Sequence, residues 1–95
     1  MPTERFVAEL NAQIARELAA AHQYTAIAVW YEGEAFPRLA RFFYDQAEEE
    51  REHGMKMVRY LLDTGSKVEL GQIDAPRNDF ADHVEPIALA LEHER

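Results

Sequence analysis

Glu50 and His53 stand one helical turn apart in the stretch "QAEEEREHGM" at residues 46–55. A carboxylate and an imidazole on one helix face can hold a divalent cation or pass a proton. Which of the surrounding acids face inward decides the matter. On a helix, one stripe runs Leu39, Phe43, Gln46, Glu50, His53, Met57, Tyr60, with steps of four and three. Glu50 and His53 lie on that apolar stripe, Glu49 lies at its margin, and Glu48, Arg51 and Glu52 point elsewhere. An upstream stripe, Leu10, Ile14, Glu17, Ala21, Tyr24, Ala28, Tyr31, again sets one acid among apolar residues. A third segment does the same, since Ile87 and Leu91 are followed by Glu94.

Register ties these groups together. If the first two stripes belong to an antiparallel hairpin centred near residue 35, position 17 is level with 53, and 24 with 46. Glu17, Glu50 and His53 then converge at one height from two helices. An unpaired buried carboxylate costs several kcal/mol or stays protonated, and a bound cation removes that cost. A lone Glu-x-x-His is common by chance. What raises the metal reading is the coincidence of stripe, register and a further inward acid at Glu94. The run from Glu48 to Glu52 reads, as a run, as solvated surface. His22, His83 and His93 read as surface or helix-end residues, and Tyr24 can also be an ordinary core tyrosine.

The elements that would position these groups are legible. Thr3 is an N-cap with Glu4 in the first turn. No glycine or proline interrupts the chain from there to Gly33, where a first helix of about residues 4–33 ends. Pro37 suits the first turn of a second helix, about 37–64, and Asp63-Thr64-Gly65 closes it. Two long helices on a very short turn form an antiparallel hairpin. Residues 66–83 make a long crossover, with Val68, Leu70 and Ile73 expected to pin it against the hairpin. A third helix begins near 84 and runs to Arg95. The expectation is one all-α domain over 1–95.

Composition sets outer bounds. There is no cysteine, so any metal must be held by carboxylates and imidazoles, which suits iron, manganese or zinc. A net charge of −8 argues against nucleic acid and anionic membrane surfaces. The longest apolar run, Ala26 to Tyr31, is too short to span a bilayer. No secretion signal opens the chain, so the cytoplasm is the expected location.

The stretches "LNAQIARELAAAHQYTAIAVWY", "FYDQAEEEREHGMKMVRYLLDTG" and "IALALEHER" resemble bacterial non-haem ferritins. The resemblance implies a ferritin-like bundle whose hairpin, crossover and third-helix start lie in this chain. It also implies a di-iron carboxylate centre that oxidises Fe²⁺ with dioxygen. Glu17, Glu50 and His53 match the ligands of the first iron. Glu50 also matches the bridge to the second, and Glu94 one of that iron's ligands. Tyr24 matches the tyrosine that hydrogen-bonds at the centre, and Glu49 a carboxylate of a third, weaker site. Haem-binding relatives carry methionine after the bridging glutamate, and Arg51 stands here, so no haem is expected. A full subunit of the family is nearly twice as long, and this chain matches its first half.

Three functions follow as expectations. The first is an iron-storage ferroxidase. The second is a half-length ferritin that works as a dimer, like those packaged in encapsulin shells. The third is a metal-free helical interaction fragment. Standing alone, the hairpin would expose Tyr24, Tyr31, Phe42, Phe43 and Met57, so a homo-oligomer is expected.

Overall fold

The structure, a computed structural model, describes residues 2–94, and Arg95, the expected end of the third segment, lies outside them. Its elements are α1 (Glu4–Gly33), α2 (Pro37–Asp63) and α3 (Glu85–His93), with no strand among the described residues. The Thr3 hydroxyl accepts from Phe6 N at 3.1 Å and starts α1. No helix among the described residues is long and apolar enough to cross a membrane.

As expected, α1 runs to Gly33, and the α1–α2 turn that follows takes one left-handed residue. Gly33 stays helical, and Ala35 takes the left-handed conformation, with φ 64°. That backbone costs a residue with a Cβ about 1–2 kcal/mol. The turn holds because Phe36 N donates to Tyr31 O at 2.9 Å and Ala35 N to Glu32 O at 3.1 Å. After α2, Gly65 supplies the left-handed residue with φ 74°, and Ser66 N reaches back to Leu61 O at 2.9 Å.

Nearly all close backbone approach lies between α1 and α2; α3 approaches α1 at a few points and its backbone stays farther from α2. The core gathers Tyr24, Ile27, Ala28, Tyr31, Ala40, Phe43 and Ala47. In α2 the residues against α1 are Ala40, Phe43, Ala47, Gly54 and Leu61. That set is rotated from the expected stripe, so His53 and Tyr60 are exposed. A stripe drawn for a complete bundle points between the partner that is present and the flank left open. On that flank Phe42 is 54 % exposed and Leu91 63 %. Tyr24, Tyr31 and Phe43, expected to be exposed, are instead buried. Their burial comes from packing across the hairpin, with Phe80, Leu89 and Ala90 covering the same cluster.

The crossover is fastened by polar groups rather than by its aliphatic residues. Asn11 Nδ2 donates to Lys67 O at 3.0 Å, and Glu69 N donates to Asn11 Oδ1 at 2.9 Å. Gln23 Nε2 donates to Arg77 O at 2.9 Å, and Arg77 N donates to Gln23 Oε1 at 2.8 Å. The Tyr31 hydroxyl donates to His83 O at 2.6 Å. The crossover therefore runs beside α1 in the same direction. Val68 and Ile73 are half-buried, whereas Leu70 is exposed and pins nothing. The Asp82 carboxylate accepts from Val84 N and Glu85 N at 3.0 Å each, which starts α3. That helix descends antiparallel to α1 and brings its end to the height of Tyr24.

Candidate metal centre

Glu17 lies midway along α1, and Glu50 and His53 lie at the facing height of α2. One ligand atom from each comes within 4.8 Å of the others. His53 Nδ1 is 3.6 Å from Glu17 Oε1 and 3.8 Å from Glu50 Oε2. The two carboxylates are mostly sheltered, while the imidazole side chain is 55 % exposed on the open flank. Gly54 is buried here between the helices and faces Leu18 and Glu17. A Cβ at that position would sit 3.4 Å from Leu18 Cδ2 and 3.5 Å from Glu17 Cβ.

Electrostatics mark the pair. The hydrogen bond Glu50 shares with Glu17, then burial, then the Glu17 charge push the Glu50 carboxyl up to about 7. That same shared bond holds Glu17 below the ordinary carboxyl value, with help from Gln13 and His53 and against burial. With both groups ionised, Glu17 Oε1 is buried and has no hydrogen-bond partner. A proton kept on Glu50 gives it one. A cation would replace that proton and satisfy the orphaned oxygen. Two carboxylates and an imidazole suit a hard or borderline divalent metal, so the residues present fit iron.

Tyr24 and Glu94 meet at the next height. The buried Tyr24 hydroxyl donates to Glu94 Oε1 at 3.0 Å. Burial first, and the Glu94 carboxylate second, raise the phenol well above its usual value. Glu94 lies outside the three-residue cluster, yet Glu17, Tyr24, Glu50, His93 and Glu94 line one cleft of about 430 Å³. Glu49 is exposed and accepts from Gln46 Nε2 at 3.1 Å, away from the cluster.

Three neighbours escape a reading by stripe alone. Gln13 Nε2 donates to Glu17 Oε2 at 2.7 Å and orients that carboxylate. Its position four residues before Glu17 is the only signal. Gly54 is a helix-interior glycine that faces Leu18 and Glu17, and an isolated glycine in a helical pattern is a weak signal of packing. The His93 ring packs 6.0 Å from Tyr24, which no spacing in the sequence announces.

The ferritin-like domain family matches residues 7–95. A ferritin, BfrB, of Mycobacterium tuberculosis is 47% identical over 94 residues, covering 99% of this chain and 52% of that protein. The bacterial non-heme ferritin of Staphylococcus aureus is 36% identical over 95 residues, covering the whole chain and 57% of that protein. A solved ferritin of Archaeoglobus fulgidus, 26% identical, superposes with a TM-score of 0.93 over 99% of this chain and 57% of its own. The chain thus spans about half the length of the relatives it matches. A family match over almost the whole sequence, together with the shared hairpin and crossover, makes this chain a member of the ferritin family.

Proposed function

We propose that the Glu17–Glu50–His53 cluster takes up Fe²⁺ and promotes its oxidation by dioxygen, the entry step of iron storage. Glu17 and His53 hold one ferrous ion. Glu50 reaches from it toward a second, which Glu94 helps to hold. Tyr24 keeps the Glu94 carboxylate turned into the shared cleft. Each of two ferrous ions gives up one electron. Dioxygen takes the pair with two protons and leaves as hydrogen peroxide, and the ferric ions pass on to a mineral. The observation that carries this reading is the buried, unpartnered Glu17 Oε1 within reach of two further donor groups. Ferrous titration under air tests it. The wild-type chain should oxidise iron faster than buffer and faster than Glu50→Ala, and a rate equal to buffer overturns it.

A specific observation also favours pairing. Between α2 and α3, opposite α1, runs an apolar groove of about 240 Å³ lined by Phe42, Phe43, Ile87, Ala90 and Leu91, with Tyr24 and Glu94 at its edge. Apolar side chains of one more helix would fill this groove, and such a helix would bring further ligands to the centre. A second copy of the chain supplies it, with a further Glu17 and Glu50-x-x-His53 set. Because α3 already lies on α1, this pairing differs from a plain face-to-face joining of two hairpins.

A further inference from the structure

The Glu17 carboxylate turns its two oxygens to different surroundings. Oε1 is buried, unpartnered and 3.6 Å from His53 Nδ1. Oε2 accepts from Gln13 Nε2 at 2.7 Å. That contact helps only while the nitrogen end of the amide, and not its oxygen end, faces Glu17. The two ends have nearly the same shape and opposite polarity. Arg16 decides between them. Its Nε donates to Gln13 Oε1 at 2.8 Å. A guanidinium donates and never accepts, so it can hold only the oxygen end. The three residues stand at steps of three and four on one face of α1, where side chains meet. The chain offers Arg16 18 acids to pair with. Among the described residues it forms no ion pair, and the one bond its side chain makes is to Gln13. It also lines the cleft shared by Glu17, Glu50 and Glu94. A fixed positive charge at the rim of a cation site, taken by itself, opposes the incoming ion.

We propose that Arg16 is a positioning residue of the metal centre and that it acts through Gln13. Arg16 pins the amide, the amide occupies Glu17 Oε2, and Oε1 is left as the oxygen that Glu17 gives to a divalent cation. The proposal rests on the metal-binding reading of the Glu17–Glu50–His53 cluster and needs no oxidation step. Without Arg16 the amide is free to turn over, and its oxygen would then face the carboxylate and push it out of line. Without Gln13, Glu17 is free to turn both oxygens toward one ion. The arginine thus favours the cation that its own charge would repel.

Zn²⁺ does not change oxidation state, so it tests this apart from iron chemistry. Calorimetric titration with Zn²⁺ on the wild type, Arg16→Ala, Gln13→Ala and the double variant makes a closed cycle. Gln13→Ala should weaken binding by about tenfold, the scale for groups that support metal ligands, and Arg16→Ala by several-fold. In the Gln13→Ala background, Arg16→Ala should cost nothing further. Charge alone predicts the opposite sign, so tighter binding in Arg16→Ala overturns the proposal. The same loss with and without Gln13 overturns it too. Infrared difference spectra, zinc-loaded minus metal-free, give a second readout. The gap between the asymmetric and symmetric carboxylate stretches is wide when one oxygen binds a metal and narrow when both do. It should narrow in Arg16→Ala and in Gln13→Ala, and spectra identical to wild type overturn the positioning role. A wild-type chain that binds no Zn²⁺ overturns the site reading and this role together. Thermal melts of the metal-free variants, expected within a few degrees of wild type, exclude loss of fold as the cause.

Discussion

Glu17 and His53 come from opposite arms of the hairpin and leave 3.6 Å between Oε1 and Nδ1, with Glu50 beside both. The first consequence concerns pH. Glu50 keeps its proton up to about 7, against an ordinary 4.5. Between those values the folded, metal-free chain binds more protons than the unfolded one. This contribution to stability is therefore fully present below 4.5 and is lost as pH rises through about 7. Metal must displace the same proton. Zinc affinity should therefore rise with pH across 6–8, and calorimetry in buffers of different ionisation enthalpy should detect a released proton. A pH-independent affinity would contradict the shared proton.

Removing the two adjacent acids should have unequal effects. Glu50→Ala should weaken Zn²⁺ or Fe²⁺ binding by about tenfold or more, on the scale seen when groups at metal sites are lost. Glu49→Ala removes an exposed carboxylate bonded to Gln46 and should change affinity little. Equal losses in calorimetric titration would mean that Glu49 shares the site.

Glu17→Gln should stabilise the metal-free chain at pH 8, where both carboxylates are ionised and Glu17 Oε1 has no partner. An amide there can donate to Glu50. The gain should be about 1 kcal/mol, or roughly 4–8 °C in Tm for a domain of this size. A clear fall in Tm would show that the ionised pair is not a burden.

Ala35 holds φ at 64° without being glycine. Ala35→Gly should raise stability by about 1 kcal/mol, because strain at this position exceeds the extra freedom glycine gives the unfolded chain. Urea denaturation at pH 7 measures it, and an unchanged midpoint would count against strain in the turn.

The groove between α2 and α3 should make the chain associate. Light scattering should give a dimer or a multiple of it, and Phe42→Asp, at a residue 54 % exposed in the single chain, should shift it toward monomer. A compact wild-type monomer at high concentration would leave the groove without its proposed occupant.

Some of this was readable from one sequence because period and register are one-dimensional. Glu17, Glu50 and His53 fall together by counting from the turn, since a hairpin with a short loop has little freedom to slip. The Tyr24–Glu94 bond is not countable that way. It depends on how far along α1 the crossover carries the start of α3, which Asn11, Gln23 and Tyr31 decide. Those residues look ordinary in the sequence, because a polar side chain bonded to a distant backbone leaves no periodic trace. The left-handed turn residue leaves no trace for a related reason: nothing about Ala35 in the sequence announces it, and only the backbone geometry gives it that role.

The two amide clasps have a consequence for tolerance to change. From Asn11 to Gln23 the first helix rises about 18 Å. The strand of crossover between their partners, Glu69 to Arg77, could extend to about 26 Å or more if drawn straight. The crossover is therefore slack, and it behaves as a ruler whose marks are its clasps rather than as a taut cord. An extra residue inserted between 70 and 75 would bulge outward and leave Glu94 in place. Exchanging Gln23 for alanine would free the ruler to slide. The third helix would then lose its height against Tyr24, although no residue of the metal centre had been altered.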